Sequence, residues 1–254
     1  MKKITTDKHF FALYYPHAQR HAKSSFIITD ELMIHRVVRV LRFEKNDEFI
    51  LFDKELRSIV ILTAVDKHSI TVQVLDTQEN IQLTPTITVL IPVLKREALE
   101  EAIYNAVECG ANEIQLMITE KTQRAWGGAK EQERLEKIII AASEQAKHFT
   151  LAGLKAPKAF NELLQSTKKE PFIFFDAQGE HLSQTIKTLH GQKHTHLRLM
   201  FGPEADLSLA EKETLKKHNA FCTKLTSTIL RAPQAVAVGV GAIRSLLTHD
   251  DSAQ

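Results

Sequence analysis

From Thr86 onward the chain repeats one pattern: a short apolar run, then a longer stretch with its apolar residues on one helical face, then another apolar run. This alternation constrains the fold more than any other feature, because strands joined through helices lie parallel and bury both faces of their sheet. Thr86 to Leu94 reads as a near-continuous apolar strand. Lys95 to Cys109 reads as a helix, with Leu99, Ala102, Ile103 and Ala106 on one face and Gly110 as its stop. Further strands are predicted over Glu113 to Ile118, Pro171 to Phe175, Leu197 to Phe201 and Phe221 to Leu225. Helices are predicted over Gln132 to Lys147, Leu182 to Leu189, Ser208 to His218 and Pro233 to Leu247. The fold class is therefore α/β.

The amino-terminal part differs. Phe26 to Ile28, Glu48 to Phe52, Ser58 to Ala64 and Ser69 to Leu75 read as short strands separated by polar turns, which suits a small antiparallel sheet or barrel. A short helix interrupts them, capped by Thr29 or Asp30, with Ile34, Val37, Val38 and Leu41 on one side. His35, Arg36, Arg39 and Arg42 then project largely away from that stripe. The polar segment Thr77 to Pro85 is the best boundary, giving domains 1–78 and 79–254.

Charge is distributed unevenly. The net charge is +2, yet residues 1–45 hold nine Lys and Arg (Lys2, Lys3, Lys8, Arg20, Lys23, Arg36, Arg39, Arg42, Lys45) against Asp7, Asp30, Glu31 and Glu44. A basic amino-terminal part on a nearly neutral chain points to a local polyanion contact. Cys109 and Cys222 form no CxxC, which excludes a disulfide framework and a recognisable zinc site. His190, His194 and His196 have no matched second pair, so no metal is expected. Phe10 to Tyr15 is too short and aromatic for a secretory signal, and no apolar run reaches membrane-spanning length, so a cytoplasmic protein is expected.

The last predicted helix is apolar all round, reading Ala235-Val-Ala-Val-Gly-Val-Gly-Ala-Ile. Such a helix is buried on several sides, against its own sheet or a second subunit. The subunit interface is the favoured reading, because a helix at a chain end usually keeps one wet face.

No GxxxxGK[ST] and no GxGxxG is present, so a nucleotide held in the usual Rossmann manner is not expected. Ligands of open parallel sheets bind at the carboxyl ends of the strands. Three loops qualify there: Asp176 to Gly179, Gly202-Pro203-Glu204, and Thr226 to Arg231.

Taken together, Gly202-Pro203-Glu204 followed by Leu207-Ser208, then Leu225-x-x-x-Ile229-Leu230-Arg231 opening the final helix, resembles the RsmE family of the SPOUT superfamily. Upstream, His35-Arg-Val-Val-Arg-Val-Leu-Arg, Asn46-Asp47-Glu48, Leu51-Phe-Asp, Lys95-x-Glu97, Glu108-x-Gly110, Thr119-Glu120-Lys121-Thr122, Arg134 and Glu144-Gln145-Ala146 are similar to the family's run. The resemblance implies S-adenosylmethionine-dependent methylation of uridine N3 in 16S ribosomal RNA. It also implies a PUA-like β-barrel that binds RNA, then a SPOUT α/β domain with a trefoil knot, assembled as a homodimer.

On this resemblance the donor is held by Phe175, Asp176, Phe201, Gly202, Pro203, Glu204, Leu225, Thr226, Thr228, Ile229 and Leu230. Arg231 is the candidate cation for the developing uracil charge, and Glu204 a candidate proton acceptor. His35, Arg36, Arg39, Arg42 and Arg124 are candidate RNA contacts, with Trp126 beside Arg124 as a stacking surface or plain packing.

Some positions depart from the family pattern: Ala205-Asp206 stands for two glycines, Thr228 for an arginine, and Pro233-Gln234 for Glu-Thr. The expectation is that the glycine loss crowds the donor loop, and that the missing charges leave donor binding intact but slow the transfer. The alternative reading is a catalytically weakened relative that binds ribosomal RNA.

Overall fold

Strand β6 (Thr86–Pro92) illustrates how the larger unit is organised. Ile87, Val89 and Ile91 point to one side and Leu90 to the other, and all four are buried. A strand with apolar residues on both faces needs cover on both faces. In the computed structural model, which describes residues 10–16, 25–165, 170–189 and 194–247, the chain divides after Ile81 into two compact units. Lys2, Lys3, Asp7, Lys8, Arg20, Lys23 and His190 lie outside the described residues.

The second unit follows β6 with α2 (Arg96–Glu108), β7 (Glu113–Ile118), α3 (Ala129–Ala146), β8 (Gly153–Ala159) and α4 (Phe160–Gln165). It continues through β9 (Phe172–His181), α5 (Leu182–Leu189), β10 (His196–Phe201), α6 (Leu209–Lys217), β11 (Phe221–Lys224) and α7 (Ala232–Leu247). The sheet order is β11-β9-β10-β6-β7-β8 and every pairing is parallel. The α/β class read from the alternation is what the structure has.

Two cores flank this sheet. Ile173, Phe175, Leu197, Leu199 and Phe201 pack with α2, α3, α5 and α7 on one side, while Phe172, Phe174 and Met200 meet α4 and α6 residues Leu163, Leu164 and Leu215 on the other. On α7 the buried face is Pro233, Val236, Gly239, Val240 and Ile243, set against α2 and β10; Val238 and Leu246 are exposed. Pro233 costs this helix nothing, since amide groups of the first turn have no intrahelical acceptor. Arg244 anchors the far end, donating to Pro85 O at 2.7 Å, Gly110 O at 2.6 Å and Asn112 Oδ1 at 2.8 Å.

The first unit contains β1 (Ala12–Tyr14), β2 (Ser25–Ile28), α1 (Glu31–His35) running into a π-helical turn over Arg36–Val40, then β3 (Glu48–Phe52), β4 (Leu56–Asp66) and β5 (Ser69–Glu79). Asp30 is the cap of α1, its Oδ1 accepting the Met33 N–H at 2.6 Å. The sheet order is β1-β3-β4-β5-β2.

Several expectations need correction. The small sheet is mixed, because β1, not foreseen, pairs parallel with β3. The edge strand β8 and the short α4 were also not foreseen: Lys155, Pro157 and Lys158 give β8 a polar composition that hides its type. Asp176 to Gly179 does not end its strand as expected: β9 runs on to His181, but its register with β11 jumps from Phe174 to Glu180, so these residues form an irregularity within the strand. Among the described residues no helix is long and apolar enough to cross a membrane.

Candidate active site

The carboxyl ends of β9 and β11 converge because Gly179 allows it: a Cβ at this position would lie 2.5 Å from the Thr223 backbone nitrogen. Beside this close approach Phe175, Asp176 and Ala177 face Leu225, Thr226, Thr228, Ile229, Leu230 and Ala235 across a cleft of about 110 Å³. The loop after β11 holds its own shape, with Thr226 Oγ1 donating to Thr228 O at 2.7 Å. Six of the nine lining residues are apolar, although polar and apolar atoms share the surface about equally, and Asp176 is its one ionisable residue. Apolar side chains beside one carboxylate offer S-adenosylmethionine a surface for its flat purine and a partner for its hydroxyl and cationic groups.

Asp176 does not stand alone. Its Oδ2 lies 2.6 Å from Lys212 Nζ on α6, and the same ammonium lies 2.7 Å from Asp206 Oδ2. Burial by itself would lower the Lys212 ammonium, but its bonds to the two carboxylates raise it above the ordinary lysine value. Asp206 has φ 61°, a left-handed backbone that aspartate tolerates better than most side chains, so the position is filled without glycine. Asp206 and its neighbour Ala205 are exposed.

The loop after β10 is pinned from a second direction. Lys121 Nζ donates to Ala205 O at 3.0 Å and Leu207 O at 3.2 Å. The buried Glu211 accepts the Glu120 N–H at 2.9 Å and the Ser208 N–H at 2.8 Å, closing the α6 capping box with Ser208. Glu204 Oε1 accepts the Lys95 N–H at 3.4 Å, at the amino end of α2, so the glutamate faces a helix start.

The structure thus brings together Phe175, Asp176, Leu225, Thr226, Thr228, Ile229 and Leu230 around one cleft. Phe201 differs from its expected role: its ring is 1% exposed and stacks on Phe175 at 4.9 Å between centroids, so its side chain is core. Gly202, Pro203 and Glu204 lie in the adjoining loop but outside the cleft lining, and Arg231 is exposed where α7 begins.

Arg124 also departs from expectation. Its guanidinium donates to Leu94 O at 2.5 Å and to both Glu131 oxygens at 2.6 and 3.0 Å, so it serves the protein interior instead of a phosphate. Burial would raise the Glu131 carboxyl, but Arg124 and the Gly127 N–H hold it below the usual glutamate range. Trp126 packs against the core on the α2 side. In the first unit His35, Arg39 and Arg42 are exposed and Arg36 is half-buried.

Lys212, Lys121, Glu211 and Ala235 escaped the sequence reading of the site. Only the Ser208-x-x-Glu211 spacing gave a signal, as a capping box. Among the described residues no group of three or more His, Cys, Asp or Glu is placed to hold a metal ion.

A parallel α/β sheet with a cleft at its strand ends defines a ligand-binding α/β protein. Residues 82–244 match the family described as RNA methyltransferase domain, and the chain belongs to that family. It is 24% identical over 219 residues to ribosomal RNA small subunit methyltransferase E of Rickettsia conorii, covering 85% of this chain and 88% of the relative. The enzyme of that name from Bacillus subtilis is 25% identical over 232 residues, 86% of this chain and 89% of its own length. In three dimensions the chain is similar to ribosomal RNA small subunit methyltransferase E of Neisseria gonorrhoeae bound to S-adenosyl methionine. The TM-score is 0.81 at 21% identity, covering 94% of this chain and 98% of the other. The resemblance to RsmE enzymes carried by Gly202-Pro203-Glu204 and Leu225 to Arg231 agrees with these names.

Proposed function

We propose that this chain transfers a methyl group from S-adenosylmethionine to N3 of a uridine in 16S ribosomal RNA of the small subunit. The observation that carries the reading is the cleft between Phe175-Asp176-Ala177 and Leu225 to Leu230, at the strand ends of a domain matched to RNA methyltransferases. When bound, the donor supplies an electrophilic methyl group on its sulfonium.

The residues of the chain do the rest. Phe175, Leu225, Leu230 and Ala235 exclude water from the donor's flat ring, and Asp176 faces its polar and cationic groups. Uridine N3 must lose its proton, and a cation at the uracil oxygens stabilises the charge that develops. Arg231, exposed at the start of α7 next to the cleft-lining Leu230, is assigned that role, and Glu204 is assigned the proton. Because N3 lies on the Watson–Crick edge, the base enters unpaired or flipped. The first unit, residues 1–78 in the sequence reading, supplies phosphate contacts through His35, Arg39 and Arg42, with Arg36 beside them.

A homodimer through the outward face of α7, where Val238 and Leu246 are exposed, belongs to the same proposal, as does a cytoplasmic location alongside the ribosome. The test is single-turnover methylation of small subunits lacking the modification, with labelled donor and mapping of the modified base. Labelled N3-methyluridine in 16S RNA is the expected result. Donor binding or RNA binding without any transfer would overturn the reading. Light scattering of Val238→Glu with Leu246→Glu tests the dimer, which should dissociate.

A further inference from the structure

Lys212 has no place in the reaction just assigned, yet it joins the cleft-lining part of β9 to the loop after β10. Its ammonium joins Asp176, 36 residues away in sequence, to Asp206 on the loop after β10. The Asp176 side chain is 8% exposed, that of Lys212 21% and that of Asp206 59%. The carboxylates are anchored further: Asp176 Oδ1 accepts the Gln178 N–H at 2.8 Å, and Asp206 Oδ1 accepts the Leu207 N–H at 2.7 Å. Two carboxylates and one ammonium leave the cluster one negative charge in excess, and Asp176 is the member that lines the cleft. Of the two adenosyl ligands of a methyl transfer, the donor carries a sulfonium and is a net monocation, while the demethylated product is net neutral. A wall with excess negative charge in a partly desolvated cleft favours the first over the second.

We propose that Lys212 is a positioning residue that fixes the Asp176 carboxylate in the cleft wall against the Asp206 loop, so that the cleft selects the cationic methyl donor over its neutral demethylated product. This inference rests on the proposed methyl transfer. The role differs from a simple brace, because a brace would support both ligands equally.

The experiment is calorimetric titration of the full-length protein with S-adenosylmethionine and, separately, with S-adenosylhomocysteine. In Asp176→Asn, affinity for the donor should fall about tenfold and that for the product much less, the worth of one charge contact in a partly desolvated site. Lys212→Met frees the Asp176 carboxylate but also removes a cation, so a donor-to-product affinity ratio that falls, and is restored by Lys212→Arg, marks positioning, whereas a ratio that rises marks charge alone and overturns the role of Lys212. Asp206→Asn provides a variant whose folding is not in question, because the side chain is exposed and asparagine tolerates the left-handed backbone. It should lower the ratio in the same direction. An unchanged ratio in Asp176→Asn and Asp206→Asn, with donor binding by the unmodified protein intact, overturns this inference alone. Failure of the unmodified protein to bind either ligand overturns the methyl-transfer reading along with it.

Discussion

Gly239 of α7 rests on the ring of Phe201: a Cβ at residue 239 would come within 2.8 Å of Phe201 Cε1 and 3.0 Å of Phe175 Cε2. The glycine therefore lets the final helix settle onto the stacked pair Phe175–Phe201, whose first member is also a wall of the donor cleft. Helix packing and donor site share one aromatic pair.

The first prediction follows from this contact. Gly239→Val should destabilise the protein by about 2 kcal/mol through overpacking, measured by urea denaturation, and should weaken donor binding as Phe175 is displaced. Gly241→Ala, whose Cβ meets only Cys109 Sγ at 3.6 Å, is the control: it should leave donor binding unchanged and hold or raise stability, by up to about 1 kcal/mol. Equal effects at the two positions would remove Gly239 from its special place.

A second prediction concerns Arg124 and Glu131. The Glu131 side chain is 8% exposed and that of Arg124 25%, so Arg124→Met leaves a buried carboxylate with only the Gly127 N–H at 2.8 Å and the more distant Arg134 guanidinium at 3.9 Å. The loss should be about 2 kcal/mol, discounted because the pair is partly solvated. Adding Glu131→Gln removes the undercompensated charge and should recover part of the loss. Affinity of the folded Arg124→Met protein for 16S fragments should be unchanged; a drop comparable to that from Arg39 reversal would return Arg124 to the RNA surface.

These two networks mark how far the sequence could be read. The alternation of apolar strands and amphipathic helices follows from burial on two faces, and so appears in any window of the sequence. The loop from Leu225 to Arg231 and the adjoining Gly202-Pro203 loop were legible because they carry family spacing. The Lys212 junction was not, since nothing local distinguishes a lysine on an exposed helix face from one that bridges Asp176 and Asp206. Arg124 beside Trp126 looked like an RNA contact because its partner Glu131 lies in the following helix, where acidic residues are ordinary. The return of β9 to pairing at Glu180 and His181 was hidden by the polar turn-forming residues Asp176 to Gly179, which the register with β11 skips.

The third prediction is acid sensitivity centred on His148. The ring is buried, with Nδ1 3.3 Å from Val107 O and no hydrogen-bond partner for Nε2 among the described residues. Burial, with a smaller contribution from the Arg244 charge, pushes its pKa below the ordinary histidine value, although the Val107 bond opposes this. The folded state therefore resists protonation while the unfolded chain takes up a proton below about pH 6.5. Stability attributable to this group is present above that pH and is lost as the pH falls through it. His148→Gln should flatten the fall in Tm between pH 7.5 and 5.5, and an unchanged slope would place the acid-sensitive group elsewhere.

A fourth prediction places the RNA surface. Arg39 and Arg42 are exposed around the π-helical turn of the first unit, so reversing both to Glu should weaken binding to 16S fragments. The logarithmic salt slope should shrink by about one unit for each phosphate that is no longer neutralised. Donor affinity should not change. A slope identical to that of the unmodified protein would move the surface off this turn.

The last prediction addresses the departures around the cleft. Thr228 is an exposed lining residue, so an arginine there has room and places a cation at the cleft mouth. Pro233 and Gln234 are different. Pro233 is buried with its carbonyl accepting from Asn105 Nδ2 at 3.0 Å, and Gln234 Nε2 donates to Glu101 Oε1 at 2.8 Å. Pro233→Glu would therefore bury a carboxylate with no cationic partner provided, and the cost would mask any catalytic gain. Thr228→Arg alone is the informative substitution. One preorganised charged contact to a transition state is worth on the order of 3 kcal/mol, about a hundredfold in rate. An added, partly solvated one should give less, about tenfold in single-turnover methylation at saturating donor. Donor affinity should stay the same or fall slightly, because the new cation faces a cationic ligand. If transfer by the unmodified protein is already fast and Thr228→Arg makes it no faster, Arg231 suffices as the cation at the uracil oxygens, and Thr228 marks no missing charge.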